Sequence, residues 1–313
     1  MGALGEYADP TLTAAGPAAL TPASAAGAWN WHDYVTLTKP RIMSLLVLTA
    51  ACAMIGASGG NPDLVRLLAV VIGGGLACGS ASALNHVLDR DIDRVMGERT
   101  ASRPVAAGRV SPRAAVTFAA VLAVASFALM LTLDNLLAAL LALAGGTFYV
   151  VVYTLGLKRR TAENIVIGGA AGAIPVLSGW AAASGHLALG AWYLFAIVLV
   201  WTPPHFWSLA VLLEDHYRAA NVPMLPVVKG RATTARRVLL YTLLTVAVTL
   251  LPGATGTFGA VYVSCAAILG AIFTALAWRL WRAPTRERAA VTFHYSLLYL
   301  ALLFVAVAVS AAL

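Results

Sequence analysis

Charge is what this chain has least of. Of 313 residues, 13 are acidic and 21 basic, 11% in all against 60% hydrophobic. A soluble domain carries about a quarter charged residues, so an ordinary water-facing surface is excluded. Cysteine is also scarce: Cys52, Cys78 and Cys265 stand singly in apolar runs, and no CxxC occurs. That excludes a disulfide framework or a thiolate metal site, and the three read as small buried hydrophobes. The first thirty residues, rich in Ala, Thr, Pro and Gly, lack the basic segment and apolar core of a signal peptide. They read as a disordered tail, set at residues 1–34, ahead of a single domain at 35–313. No soluble basic module exists, so the net charge of +8 does not point to nucleic acid.

What fills the chain is long apolar runs. Nine are long enough to span a membrane, at about 42–59, 64–86, 114–133, 136–155, 164–183, 189–211, 237–254, 257–280 and 291–312. The segments of a membrane β-barrel would be about ten residues of alternating polarity. The expectation is therefore an all-α integral membrane protein of nine transmembrane helices in the lipid bilayer. With the N-terminus cytoplasmic, 20 of the 21 basic residues fall in cytoplasmic segments, Arg66 alone outside. This is the positive-inside distribution of a multi-pass protein, expected in a bacterial cell membrane. Two cytoplasmic loops, 87–113 and 212–236, are long and carry acids, and each is followed by a short basic one. Helices 2–5 and 6–9 thus repeat one pattern, giving helix 1 plus two four-helix halves.

The scarce charges are not spread evenly. The stretch "NHVLDRDIDRVMGERTASRP" (85–104) holds three aspartates, a glutamate and four arginines. On a helix Asn85, Asp89 and Asp93 share a face, and Asp91 points away. Stacked carboxylates near a membrane repel unless a cation lies between them. Oxygen ligands select Mg²⁺ or Ca²⁺, and Mg²⁺ uses one or two carboxylates plus substrate phosphates. The plainer alternative is an interfacial cap salt-bridged to Arg90, Arg94 and Arg99. Company favours the metal: Arg99 and Arg103 follow, "LKRRTAEN" brings Lys158, Arg159 and Arg160, and helix 6 ends in "LLEDHYR" with Glu214 and Asp215. Acids and bases together beside an apolar interior suit an amphiphile with a phosphorylated head. Pro203 and Pro204 are expected to break or kink helix 6 beside His205. A histidine inside a membrane is a functional candidate, and the plainer alternative is a cap on the carbonyl freed at the kink. His86 points off the aspartate face and reads as structural. Tyr149, Tyr153, Phe206 and Trp207 are candidates to line the interior.

The spacing Asn85-xxx-Asp89-xxx-Asp93 followed by "RTASRP" resembles the first aspartate-rich motif of the UbiA superfamily of intramembrane prenyltransferases. "LTKPRIMSL", "LKRRTAENIVIGGAAGAIPVLSGWAA", "WTPPHFWSLA" and "DHYRAANVPMLPVVKG" resemble its haem-farnesylating branch, and the similarity runs from about residue 35 to the C-terminus. Two departures stand out: Ala219 occupies the place of a second aspartate four residues after Asp215, and "DRVMGERT" is one residue longer than the pattern. The resemblance implies a UbiA-like fold and transfer of farnesyl from farnesyl diphosphate to a vinyl group of haem B, giving haem O. It implies Mg²⁺ held by Asn85, Asp89, Asp93 and Asp215, with Arg99, Arg103 and Lys158 neutralising the diphosphate. Lys39, Arg41, Arg159, Tyr153, His205 and Trp207 join as substrate-binding residues. A haem A synthase is the expected downstream partner. A quinone-precursor or chlorophyll-type acceptor is the alternative within the superfamily, and a membrane transporter the alternative outside it.

Overall fold

A computed structural model of the chain describes residues 30–313, apart from the side chain of Arg99. The disordered-tail expectation for residues 1–29 lies outside the described residues. Residues 31–34, also counted in that tail, are helical, because α1 spans Trp31–Thr38, with Asn30 as a side-chain cap.

Among the described residues nine helices are long and apolar enough to cross a membrane. They are α2 (Pro40–Ala57), α3 (Leu64–Leu88), α6 (Pro112–Leu133), α7 (Leu136–Thr147) continuing as a π-helix over Phe148–Leu157, α8 (Asn164–Ser184), α9 (Leu189–Leu212), α11 (Leu225–Ala254), α12 (Ala260–Arg282) and α13 (Arg286–Ala312). The short α4 (Arg90–Val95), α5 (Glu98–Ala101) and α10 (Glu214–Ala219) lie in the two long loops. The sequence placed the seventh span at 237–254, twelve residues late. Arginines hid its first turns, which bend at Gly230 (φ 75°, ψ 167°).

The two halves are recognisable. Helices α3, α6, α7 and α8 pack in succession, as do α9, α11, α12 and α13, where α13 returns to α9. Helix α2 bridges them through α3, α8 and α13. Close approach relies on missing side chains. A Cβ on Gly179 would lie 2.0 Å from the Ala50 carbonyl oxygen, so α2 and α8 touch backbone to backbone there. Buried hydroxyls reach across: Ser80 to the Ala119 carbonyl (2.7 Å), Ser126 to Gly73 (2.7 Å) and Ser178 to Ala138 (2.8 Å). Such interhelical bonds contribute roughly 0.6 kcal/mol each.

Pro203 and Pro204 do not break α9, which runs continuously from Leu189 to Leu212. Each proline leaves the carbonyl four residues back without its donor. For Pro204 that carbonyl is Val200, and the Thr245 hydroxyl of α11 donates to it at 2.9 Å. A neighbouring helix thus satisfies the freed group.

Candidate active site

One end of the bundle gathers the loops that the charges marked. Lys39 sits at the junction of α1 and α2 in the left-handed region (φ 48°), forced into a turn because Pro40 opens α2. Strain of this kind on a non-glycine residue costs about 1–3 kcal/mol and is held by its surroundings. Its ammonium donates to Asn85 Oδ1 at 2.9 Å. The Asn85 amide in turn donates to Asp89 Oδ2 at 2.6 Å.

The aspartate motif is not one straight helix. Helix α3 ends at Leu88, Asp89 leaves helical geometry (φ −95°, ψ 6°), and α4 begins at Arg90. The i→i−4 bonds nevertheless continue, from Asp89 N–H to the Asn85 carbonyl and from Asp93 N–H to the Asp89 carbonyl. The expected face therefore survives: Asn85, Asp89 and Asp93 are all buried, Asp89 with no exposed surface. Lys158 pairs with Asp89 Oδ2, and Arg103 donates to Asp93 Oδ1 at 2.6 Å. Asp91 points outward as expected, in a bidentate pair with Arg159 (2.6 and 2.7 Å) that holds it down to about 2. Arg159 also binds the Leu88 carbonyl and stays 3.8 Å from Asp89 Oδ1, so it pins the start of α4. Arg41 is exposed at the mouth of α2. The Arg99 side chain lies outside the described residues.

The π-helix aims Lys158. Its N–H bonds the carbonyl of Tyr153, five residues back. In an α-helix of 3.6 residues per turn, residues nine apart face opposite ways. The wider i→i+5 turn brings them back to one side. Tyr149 and Lys158 are nine apart, and Thr154 between them lies 3.4 Å from the Asn85 amide. No periodicity argument predicted this element.

Electrostatics follow from crowding. Burial, then the cations of Arg103 and Lys158, push the Lys39 ammonium down to about 7, against the pull of Asp93 and Asp89. Burial raises the Asp93 carboxyl, opposed by its bond to Arg103. The described cluster holds three basic side chains against two carboxylates, a surplus that favours an incoming anion.

Asp215 does not sit beside Asp89 and Asp93 in this structure. Helix α9 leaves helical geometry at Leu213 (φ −102°, ψ 18°) as α3 does at Asp89, and a six-residue helix follows each break. In that shared register Asp215 corresponds to the outward Asp91, and Tyr217 to the inward Asp93. Asp215 accordingly pairs with Arg286 and lies 3.6 Å from Arg218, its side chain 62% exposed. The buried acid of this turn is Glu214, held by Arg218 (2.6 Å) and Arg231 (2.5 Å). Tyr217 is buried, and burial lifts its phenol to about 12, with Arg103 and Asp89 the charges around it. Sequence reading passed over it because its counterpart is an aspartate. The two motif loops touch where Gly97 packs on the His216 ring.

Among the described residues no three acidic, His or Cys side chains form a metal-holding group. What they offer is a partial site. Asp89 Oδ1 and Asp93 Oδ2 are buried and accept no hydrogen bond. Two carboxylates with open oxygens suit a Mg²⁺ ion whose remaining ligands come from phosphate and water.

Two of the candidate aromatics are deeply packed. Trp207 has no exposed surface; it packs edge-on to Tyr241 with Arg237 6.0 Å from its ring. Tyr153 is buried in the same core cluster, fitted against Gly168, where a Cβ would come within 2.4 Å of its ring. Both pack within this core cluster. His86, read as structural, is buried with neither ring nitrogen hydrogen-bonded, and Lys39 and Arg103 are the charges around it. His205 is half-buried in α9, stacked between Trp201 (4.4 Å) and Phe293 (4.9 Å), with Nδ1 2.7 Å from Ser296 Oγ. It is not bonded to the freed carbonyl, which Thr245 takes.

Known proteins resemble this arrangement at every level. The model of the UbiA prenyltransferase family matches residues 46–309. The protoheme IX farnesyltransferase of Gloeobacter violaceus is 52% identical over 279 residues, 89% of this chain and 91% of that protein. One from Thermus thermophilus is 51% identical over 286 residues, 91% of this chain but 47% of that protein. The chain thus spans about half the length of the Thermus relative it matches. Among solved structures, a digeranylgeranylglyceryl phosphate synthase superposes with a TM-score of 0.74 at 20% identity, over 90% of this chain and 98% of that one. A UbiA homolog from Archaeoglobus fulgidus bound to GPP and Mg²⁺ gives 0.62 at 14% identity, over 88% and 99%. These likenesses show the fold.

Proposed function

Since the chain belongs to the UbiA prenyltransferase family, we propose that it transfers the farnesyl group of farnesyl diphosphate to a vinyl group of haem B, making haem O. The observation that carries the diphosphate half is the pair of buried carboxylates, each with an oxygen free of hydrogen bonds, ringed by Lys39, Arg103 and Lys158. The name and 52% identity of the Gloeobacter relative, covered over 91% of its length, support haem as acceptor.

In this reading Asp89 and Asp93 hold Mg²⁺, with Asn85 behind them. The ion supplies Lewis-acid stabilisation of the departing diphosphate. Lys39, Arg103 and Lys158 bind the phosphate oxygens not held by metal, and Arg41 and Arg159 extend the positive rim. The farnesyl C1–O bond breaks, its electron pair leaving with diphosphate, and the haem vinyl carbon bonds to C1. The cation left on the vinyl's inner carbon takes a water, which loses a proton, giving the hydroxyethylfarnesyl group. The three basic side chains stabilise charge where it develops, in a site already desolvated. Tyr217 and Tyr149 border the reacting carbon and keep water from the cation. Asp215 with Glu214 closes the second loop by its arginine pairs.

The basic residues at this end support a cytoplasmic site in a bacterial cell membrane, and residues 35–313 act as one catalytic domain. A haem A synthase would consume the product. The test is Asp89→Asn: transfer is lost while the purified variant remains folded and monodisperse. Retained transfer would remove the metal-diphosphate assignment.

A further inference from the structure

We propose that a groove between α1 and α6 holds one anionic phospholipid from the leaflet on the active-site side. Helix α1 has eight residues, about 12 Å of rise, too short to cross a hydrocarbon core of about 30 Å. It is anchored along its length instead. Asp33, in its first turn, accepts from Arg109 Nε at 3.0 Å in the loop ahead of α6. The Ser82 hydroxyl of α3 donates to the Leu37 carbonyl at 2.7 Å. Thr38, at the far end, packs on α3 at Gly79, where a Cβ would come within 3.1 Å. Arg109 lies outside the spans and Gly79 well inside one. Helix α1 therefore descends from loop level into the bilayer beside α6.

The descent leaves an open groove of about 610 Å³ between the two helices. The half-buried rings of Tyr34 and Phe118, edge to face at 5.1 Å, fix its shape. Trp31 and Val35 of α1 and Thr117 and Val121 of α6 form its exposed walls. None of the charged residues of the active site lines it, so it is a separate place on the molecule. Lipid tails touch every outward face of a membrane protein, and an apolar groove by itself selects none of them.

Selection comes from the mouth. Arg113, Thr117 and Val121 are spaced i, i+4, i+8 and share one face of α6. Thr117 and Val121 line the groove, so Arg113 stands at its loop-side end. Trp31 is at that end too, at the depth where aromatic side chains meet the headgroups. Arg113 is exposed and forms no ion pair among the described residues. Arg109 nearby is already matched by Asp33. The groove is thus apolar at its deep end and carries an uncompensated cation at its shallow end. That profile fits an amphiphile with an anionic head, which the bilayer itself supplies. A zwitterionic head brings its own cation to the mouth and gains less.

The test titrates the purified full chain in detergent with phosphatidylglycerol or phosphatidylcholine, both brominated on the acyl chains. Bromine quenches tryptophan on contact, and the share from Trp31 is the difference between wild type and Trp31→Phe. Phosphatidylglycerol should quench Trp31 at about fivefold lower lipid than phosphatidylcholine, the effect of one basic residue beside an anionic head. Arg113→Gln should erase that preference and leave the weaker phosphatidylcholine binding in place. Thr117→Phe, which fills the groove and keeps Arg113, should weaken quenching by both lipids. Equal quenching by the two lipids in wild type, a preference that survives Arg113→Gln, or an unchanged response in Thr117→Phe would overturn the proposal. So would a Trp31 that neither lipid quenches, which would mean that another occupant, such as residues 1–29 of the chain, fills the groove.

Discussion

Removing Lys158 should destabilise the empty protein far more than removing a surface lysine. Asp89 has no exposed surface, and the Lys158 side chain beside it is 13% exposed. Breaking a buried ion pair by deleting one partner costs about 3–5 kcal/mol, because the other charge is left without compensation. Here Asp89 keeps the Asn85 amide at 2.6 Å and Arg159 at 3.8 Å, so the lower end, about 3 kcal/mol, applies to Lys158→Met. In a chain of 313 residues that is a fall in Tm of roughly 5 °C. Asp89→Asn in the same background removes the stranded charge and should recover about 2 kcal/mol. The assay is thermal unfolding of both single variants and the double variant in one detergent, read as a double-mutant cycle. Additivity within about 0.5 kcal/mol would mean that the two side chains are not coupled, and the account of the site as a compensated buried cluster would fail.

Asp93→Asn should abolish transfer while Asp215→Asn retains most of it, in a product assay on membranes; equal losses would mean that Asp215 enters the site with substrate. Gly179→Ala should prevent accumulation of folded protein, since the new Cβ would meet the Ala50 backbone at 2.0 Å, whereas Gly168→Ala displaces the Tyr153 ring and costs about 1–3 kcal/mol, separable by expression level and Tm. At the opposite membrane face burial lifts Asp134 to about 6 from its ordinary 3.8, and neither of its oxygens is hydrogen-bonded. A carboxyl raised in this way weakens the fold as pH climbs from about 4 to about 6, since the unfolded chain loses its proton first. Asp134→Asn should therefore raise Tm at pH 7.5 and change it little at pH 4; a gain of the same size at both would refute the linkage.

The parts of this structure that repeat were legible, and the parts that interrupt a repeat were not. Apolar length and basic asymmetry located the nine spans, because lipid thickness and backbone hydrogen bonding leave few options. The i, i+4, i+8 spacing placed Asn85, Asp89 and Asp93 on one face even though the helix breaks at Asp89, because the backbone bonds cross the break. The direction of Asp215 was not legible, because spacing inside one motif says nothing about its register against the other. Only the matching breaks at Asp89 and Leu213 align it with Asp91 and bring Tyr217 inward. The π-helix before Lys158 left no mark in composition, and the double proline looked like a break because its rescue by Thr245 comes from a helix some forty residues away.

The acceptor is tested most directly by competition. Purified protein with farnesyl diphosphate and Mg²⁺ is offered haem B and an aromatic quinone precursor together, and products are resolved by mass. The account predicts haem O, with haem B gaining a farnesyl group and a hydroxyl, and no product on omission of Mg²⁺. Prenylation of the quinone precursor with haem B untouched would contradict it.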